Sequence, residues 1–421
     1  MARVSVGLVL VVAMATPAHA DDTLTLDQAI HLALTRNERS AIADLEIVTA
    51  EASVARARVA FLPVLNASGN DTLHPIDTPK DTANGSLTLT QPLIAPSAFP
   101  LLDQARHNLE AQRAQTAEDK RQLAFDVAHA YFAVLLAQEV MKAAQKKLDT
   151  ATADVADTDA QFKAQLVSSN DVTRAKISLS SSARELANDR GNLESAFVQL
   201  GFVINAPPPK ALAEPTATLD AGKRPADVPD ALVTASLARR PDLAVRKDTA
   251  LAAHDFAREP RYRYLPTLAL VGQMTATSNA GMNGHAIDGT IALTASWSIY
   301  DGGARSADAR SRDASAAIAD LGTNALVRSI DAQVRSAAAL LASAQAALGA
   351  AQDAVDAGRK SADETAILYR QGLAKAIELV DANEQRFSAE VNYAEASYSV
   401  ANAYLALRQA MGAGPLEEPT Q

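Results

Sequence analysis

The side chains that ordinarily do chemistry are present in this sequence but are not gathered for it. The seven histidines, His19, His31, His74, His107, His129, His254 and His285, are scattered and form no metal-ligand spacing. The chain has no cysteine, which excludes thiol catalysis, cysteine-ligated zinc, a disulfide framework and a thiol for a lipid anchor. Gly281-Met282-Asn283-Gly284 reads as a loop, without the strand-to-helix setting in which glycine backbone cradles phosphate. No catalytic residue, metal or cofactor is expected. Three acids remain, Asp171, Glu378 and Asp381, each just inside a helix that follows a turn. The helix macrodipole favours negative charge there, so a solvated helix start accounts for them without any further role.

The helices around those turns are unusually regular. Val127, Val134, Met141, Leu148, Val155 and Phe162 recur every seven residues, and so do Val334, Leu341, Leu348, Val355, Ala362 and Tyr369. Three residues after each lies a small companion: Ala130, Ala137, Ala144, Ala151 and Thr158, then Ala337, Ala344, Ala351, Gly358 and Thr365. A strict seven-residue period makes helices wrap left-handedly, and small companions let the partner backbone come close. The returning helices carry their own sevens, Val172, Leu179, Leu186, Leu193 and Leu200, then Leu379, Tyr393, Val400 and Leu407, with Arg386 at the missing step. Each turn therefore joins an antiparallel pair.

The two seams are one unit stated twice, about 207 residues apart. Outward from them, Arg36-Asn37 matches Arg239-Arg240, Leu62-Pro63 matches Leu265-Pro266, and Gly85-Ser86-Leu87 matches Gly289-Thr290-Ile291. Residues 1–20, with Arg3, apolar Val4 to Met14 and Ala18-His19-Ala20, read as a secretory signal peptide, so the mature chain is expected to start at Asp21. The first repeat is expected at 21–204, a proline-rich connector at 205–228, the second repeat at 229–412 and a tail at 413–421. Each repeat opens with a helix, roughly 25–60 and 229–260, that Leu-Pro ends. A β-hairpin follows, at 62–95 and at 265–300; its clearest strand alternates Ile291, Leu293, Ala295, Trp297 and Ile299 with Thr290, Thr294, Ser296, Ser298 and Tyr300. Helices of about 100 Å come next, near 98–166 and 303–371, then tip turns at 165–171 and 371–378.

Formal net charge is −10 with no basic run, which argues against a nucleic-acid partner. Aromatic residues make up 4% of the chain, too few for a large conventional core. No segment after the signal has eighteen consecutive apolar residues, so no transmembrane helix is expected, but strands of about ten residues are long enough to span when tilted. Four strands cannot close a barrel, and an open edge cannot sit in lipid, so several chains would have to pool them.

With these elements in order, the sequence resembles the outer-membrane efflux proteins (TolC-like). The resemblance rests on Leu24-Thr25-Leu26-Asp27-Gln28-Ala29, Ala238-Arg239-Arg240-Pro241-Asp242-Leu243 and Ser298-Ile299-Tyr300-Asp301-Gly302-Gly303. It rests also on two tips, Gln165 to Val172 and Tyr369 to Ala382, and it covers essentially the whole mature chain. It implies a mainly α fold with a small β part: a homotrimer whose four strands per chain close a twelve-stranded barrel in outer-membrane lipid, above a periplasmic α-helical tunnel. It implies a passive exit duct, not an enzyme, docked by a periplasmic adaptor and an inner-membrane pump. The alternative, a periplasmic adaptor or scaffold, also uses long helical hairpins but lacks two strand hairpins at matching points of a duplication.

The resemblance also assigns the tips. Threefold symmetry would turn each inward-facing acid into a ring that concentrates cations, with Asp171 and Asp381 at the constriction, Glu378 beside them and Tyr369 helping to hold it shut. Lys375 stands next to Ala374, where some members carry an arginine, and would replace that donor. Leu166, Val167, Ser168, Ser169, Gly372, Leu373 and Ala374 are the implied adaptor contacts. Three departures stand out. Glu38 replaces a frequent proline, Pro100 falls near the start of the first long helix, and Gln165 replaces the usual glycine, so the first tip turn is expected to be less tight.

Overall fold

The computed structural model describes residues 23–72, 82–226, 229–278 and 286–416. The signal segment, most of both hairpin turns, His19, His74, His285 and Gly281-Met282-Asn283-Gly284 lie outside the described residues. In chain order the elements are β1 (Thr23–Leu24), α1 (Leu26–Arg36), α2 (Glu38–Arg58), a 3₁₀ turn (Val59–Phe61), β2 (Val64–Thr72), β3 (Thr82–Ile94), α3 (Ala98–Lys163) and α4 (Ser169–Ile204). Then follow β4 (Ala211–Leu212), α5 (Thr216–Gly222), α6 (Pro229–Arg239), α7 (Pro241–Tyr262), β5 (Thr267–Thr277), β6 (Ile287–Ser296), α8 (Ala304–Arg370) and α9 (Ala376–Ala410).

The opening helix of each half is broken in two, where a single helix was expected. Asn37 is extended, ending α1 and capping α2: its side chain accepts from the Arg39 N–H and donates to the Val203 carbonyl at 2.7 Å. In the second half Pro241 is the first helical residue, which forces Arg240 out of the helical region. The stretch read as connector carries structure as well. β4 pairs in parallel with β1, and the buried Tyr131 on α3 places its hydroxyl against the carbonyls of Leu24 and Ala213. Burial pushes that phenol up to about 12. Pro100 is within the first turn of α3, where no helical hydrogen bond is lost.

The long helices form one wall. α3 packs against α1, α2 and α4 of its own half and against α7 and α9 of the other, while α8 packs against α6, α7 and α9, all of its own half. Burial follows from this. On α3 it shifts from Val127 and Val134 to the small companions Ala144, Ala151 and Thr158, because neighbours press from both sides. On α8 it stays with Val334, Leu341, Val355, Ala362 and Tyr369, the side that faces α9. α3 and α8 each hold a stretch apolar enough by length and composition to cross a membrane, against expectation. In α3 half of that stretch is buried against its neighbours, as an alanine- and leucine-rich packing face requires.

The four long strands form one antiparallel sheet in the order β2-β3-β5-β6. Register aligns Ala67, Leu87, Met274 and Gly289, then Leu65, Leu89, Gly272 and Ile291, along one face. The other face aligns Asn66, Thr88, Gln273 and Thr290, then Ser68, Ser86, Thr275 and Asp288. Pro92 sits at a register shift, where a missing N–H is tolerated. At the second sheet-to-helix junction Arg305 is buried: it donates to the carbonyls of Arg263, Ser298 and Ile299, pairs with Asp301 at 2.7 Å and stacks on Tyr264. Trp297 lies just past β6, exposed, its indole N–H donating to the Tyr264 carbonyl.

Both tip turns close the same way, contrary to the looser first turn expected from Gln165. The Leu166 N–H bonds to the Gln161 carbonyl and the Gln165 N–H to Phe162; Leu373 and Gly372 repeat this with Leu368 and Tyr369. This is the Schellman arrangement, which needs a left-handed residue, supplied by Gln165 at φ 64° and Gly372 at φ 75°. A side chain there costs about 1 kcal/mol or more, so the hydrogen bonds fix the turn and Gln165 bears the strain. Gln165→Gly should slow amide exchange across the first tip by about 1 kcal/mol, and Gly372→Ala should speed it across the second by a similar amount.

Candidate functional site: the helical tips and the seam above them

The two returning helices begin differently. At α4, Ser168 and Asp171 form a capping box: the Asp171 carboxylate accepts from the Ser168 N–H at 3.0 Å and its hydroxyl at 2.7 Å, and the Asp171 N–H donates back. Asp171 therefore has a structural duty whether or not it meets other acids. At α9, Glu378 accepts from the Lys375 N–H at 3.2 Å, while Lys375 itself has no carboxylate partner within the described residues. Asp381 is exposed and makes no hydrogen bond or ion pair within the described residues.

Tyr369 is buried in a small cluster with Ala376 and Leu379. Its hydroxyl lies 3.2 Å from the Thr158 hydroxyl on α3. Thr158 gives its proton to the Asp154 carbonyl, so Tyr369 is the donor and links α8 to α3 across the two halves. At the turns Leu166 and Leu373 are 75% and 72% exposed, with nothing of this chain to cover them. Ser168, Ser169 and Gly372 are exposed, and Val167 and Ala374 half-buried. The structure thus brings Asp171 to Ser168 and Tyr369 to Thr158; it does not pair Lys375 with any of the acids.

Above the tips lies a polar hub that the motifs gave no notice of. Lys147 on α3 reaches both Glu185 on α4 and Glu384 on α9 at 2.7 Å, over the ring of Phe387. Burial works against its charge, but the two carboxylates outweigh this and hold the ammonium above its usual range. Glu390 on α9 collects Lys146 at 2.9 Å, Arg359 at 3.2 Å and Arg386 at 3.3 Å, so it joins α3, α8 and α9. Burial again opposes its charge, and the hydrogen bonds from Lys146, Arg359 and Arg386 overcome it, leaving the carboxyl below its usual range. Nearby Asp154 is pushed up by burial, partly relieved by the Asn383 amide at 3.0 Å. Arg386, a charge at a heptad position, was the one sequence sign of this hub, since such residues commonly pair between helices.

A depressed carboxyl stabilises the fold above its unfolded pKa and stops doing so as pH falls through its folded pKa. Glu390→Gln should therefore destabilise the helical wall by about 1–2 kcal/mol at neutral pH. The difference from wild type should shrink as pH falls below the ordinary glutamate range and through the folded-state pKa of Glu390, and vanish once Glu390 is protonated, as read from thermal unfolding across pH.

The profile of the family described as "Outer membrane efflux protein" matches residues 29–206 and 232–413. The chain is 28% identical over 211 residues to the cobalt-zinc-cadmium resistance protein CzcC of Cupriavidus metallidurans, a match spanning 49% of this chain and 48% of that protein, about half the length of each. The fold is similar to that of CusC, solved in work on its transmembrane channel formation, at TM-score 0.82 and 18% identity over 92% of both chains. It is similar also to the open MtrE outer membrane channel of Neisseria gonorrhoeae, at TM-score 0.78 and 22% identity over 92% and 89% of the two chains. With matched halves, a sheet apolar on one face, and long paired helices below it, the chain belongs to the outer membrane efflux protein family.

Proposed function

We propose that three copies of this chain form a passive exit duct, a twelve-stranded barrel continued by a periplasmic helical tunnel. The observation that carries this is the four-stranded sheet, with one apolar and one polar face and two edges, β2 and β6, unpaired among the described residues. Lipid requires those edges to be closed, and a barrel with its polar face inward does so. The edges of the helical wall agree: Ile42, Leu45, Val48, Val198 and Phe202 are exposed on α2 and α4, and Ile318, Leu321 and Leu340 on α8. A second copy would cover both stripes.

In this duct the tips narrow the periplasmic end, and a periplasmic adaptor fed by an inner-membrane pump docks there. Asp381 and Asp171 form rings of three that attract cations, and Tyr369 keeps α8 drawn to α3. Single-channel recording of the purified assembly tests this. Asp381→Ala should lower cation preference. Asp171→Asn, which keeps an acceptor for Ser168 but removes the charge, should lower it too; no change in either sinks the gate. For the adaptor, Leu166→Asp and Leu373→Asp should abolish efflux while the assembled protein remains in the membrane. Efflux at wild-type rate would place docking elsewhere.

A further inference from the structure

The two halves are quasi-equivalent, so the seam joining them inside the chain maps onto the seam that joins neighbouring copies. This mapping rests on the trimeric reading above. Inside the chain α3 meets α9 antiparallel, through Gln122 and Gln409, His129 and Asn402, Lys146 and Glu390, and Asp154 and Asn383. Between copies α8 takes the place of α3, and α4 of the neighbour takes the place of α9. The 207-residue repeat converts Lys146 into Asp353 and Asn383 into Lys176, and the same antiparallel offset sets residue 353 opposite 183 and 184. Residue 184 is an arginine.

The sign of the seam is thereby inverted. Within the chain α3 brings the cation, Lys146, and α9 the anion, Glu390. Between copies α8 brings the anion, Asp353, and α4 the cation, Arg184. Both are exposed in the single chain, and neither makes a hydrogen bond or ion pair within the described residues. The residues flanking this pair are small: Ala350, Ala354 and Ala357 on α8, and Ser180, Ala183 and Ala187 on α4. Helices with such faces approach closely, which puts the charged side chains within reach of each other.

We propose that Arg184 of each copy pairs with Asp353 of its neighbour, and that this inverted charge pattern selects the joint. An α8 edge carrying Asp353 is repelled by the Glu384 and Glu390 of another α9, and an α4 edge carrying Arg184 by the Lys146 and Lys147 of another α3. Copies then add in one sense only, α8 to α4, and the heterologous contact closes into a ring. The exposed second copy of the seam and the buried first copy are thus different locks cut from one sequence pattern.

The chain's lack of cysteine makes the test direct. Arg184→Cys with Asp353→Cys, treated in the membrane with a short bifunctional maleimide, should give bands of two and three chains on a denaturing gel. Lys146→Cys with Glu390→Cys should give single-chain product only. Inter-chain product from the first pair no greater than from Arg184→Cys alone would overturn the pairing. Charge reversal gives a second reading: Arg184→Asp and Asp353→Arg should each cut the surviving trimer in detergent several-fold, and the double variant should restore it. Failure of the double to restore would also overturn it. Light scattering of the purified wild type separates the two readings, since a species that is not trimeric defeats the duct assembly itself, whereas a trimer without these cross-links defeats only the pairing.

Discussion

A backbone N–H or carbonyl facing hydrocarbon has no water to turn to, and this chain ends its sheet on two such rows, β2 and β6. Much of the architecture answers that constraint. Two hairpins from a duplicated unit supply four strands in one register, so each chain contributes an open sheet rather than a closed one. The helices below inherit the same incompleteness: α3 is packed from both sides, whereas α8 is packed from one. The burial pattern records the difference toward the tips, where α3 buries Ala144, Ala151 and Thr158 while α8 keeps Val355 and Tyr369 buried.

Close packing sets what the wall can and cannot carry. Alanine companions draw the backbones together, and a core made this way holds few aromatic anchors: Tyr131, Phe125 and Phe132 gather where the helices meet the β1–β4 pair. Toward the tips the apolar cluster thins to a few residues and the contact between halves becomes polar, through Lys147, Glu390 and Asp154. Ion pairs of this kind contribute less than buried hydrocarbon and more to register, because a charge left unpaired at a half-buried seam is costly while a shifted apolar contact is not. The upper wall is accordingly held by apolar packing, and the lower wall by charged and amide groups.

What was legible in the sequence was what repeats with a period. The alternation from Ile291 lies on β6, although that strand ends at Ser296, before Trp297 and Ile299, and the two sets of sevens lie within α3 and α8 and end with them. The motifs behind the family resemblance are junctions: Thr25 and Gln28 form the capping box of α1, Arg240 and Asp242 hold the break before α7, and Asp301 to Gly303 turn the chain into α8. The break at Asn37 was not legible, because it depends on the Val203 carbonyl 166 residues away. Neither was the β1–β4 pair, two residues long on each side, nor the hub, where Lys146, Lys147 and Asp154 meet α9 residues more than 200 positions away. Gln165 shows the opposite failure. Its identity suggested a looser turn, but two hydrogen bonds decide the backbone and the side chain tolerates it.

Duplication is usually an economical route to symmetry, but a perfect repeat would be a liability here. If both seams carried the same charges, an α3 edge could accept the neighbour's α4 as readily as its own α9, and the chain could close on the wrong partner or extend without closing. The covalent link between halves makes the inner seam effectively intramolecular, so it can rely on a polar hub. In the proposed assembly the outer seam joins separate molecules that find each other by diffusion, which favours long apolar stripes for adhesion and a few charges for choice. His107 between Asp248 and Asp255 inside the chain, against Leu45 at the position equivalent to Asp248 on the free edge, shows the same division.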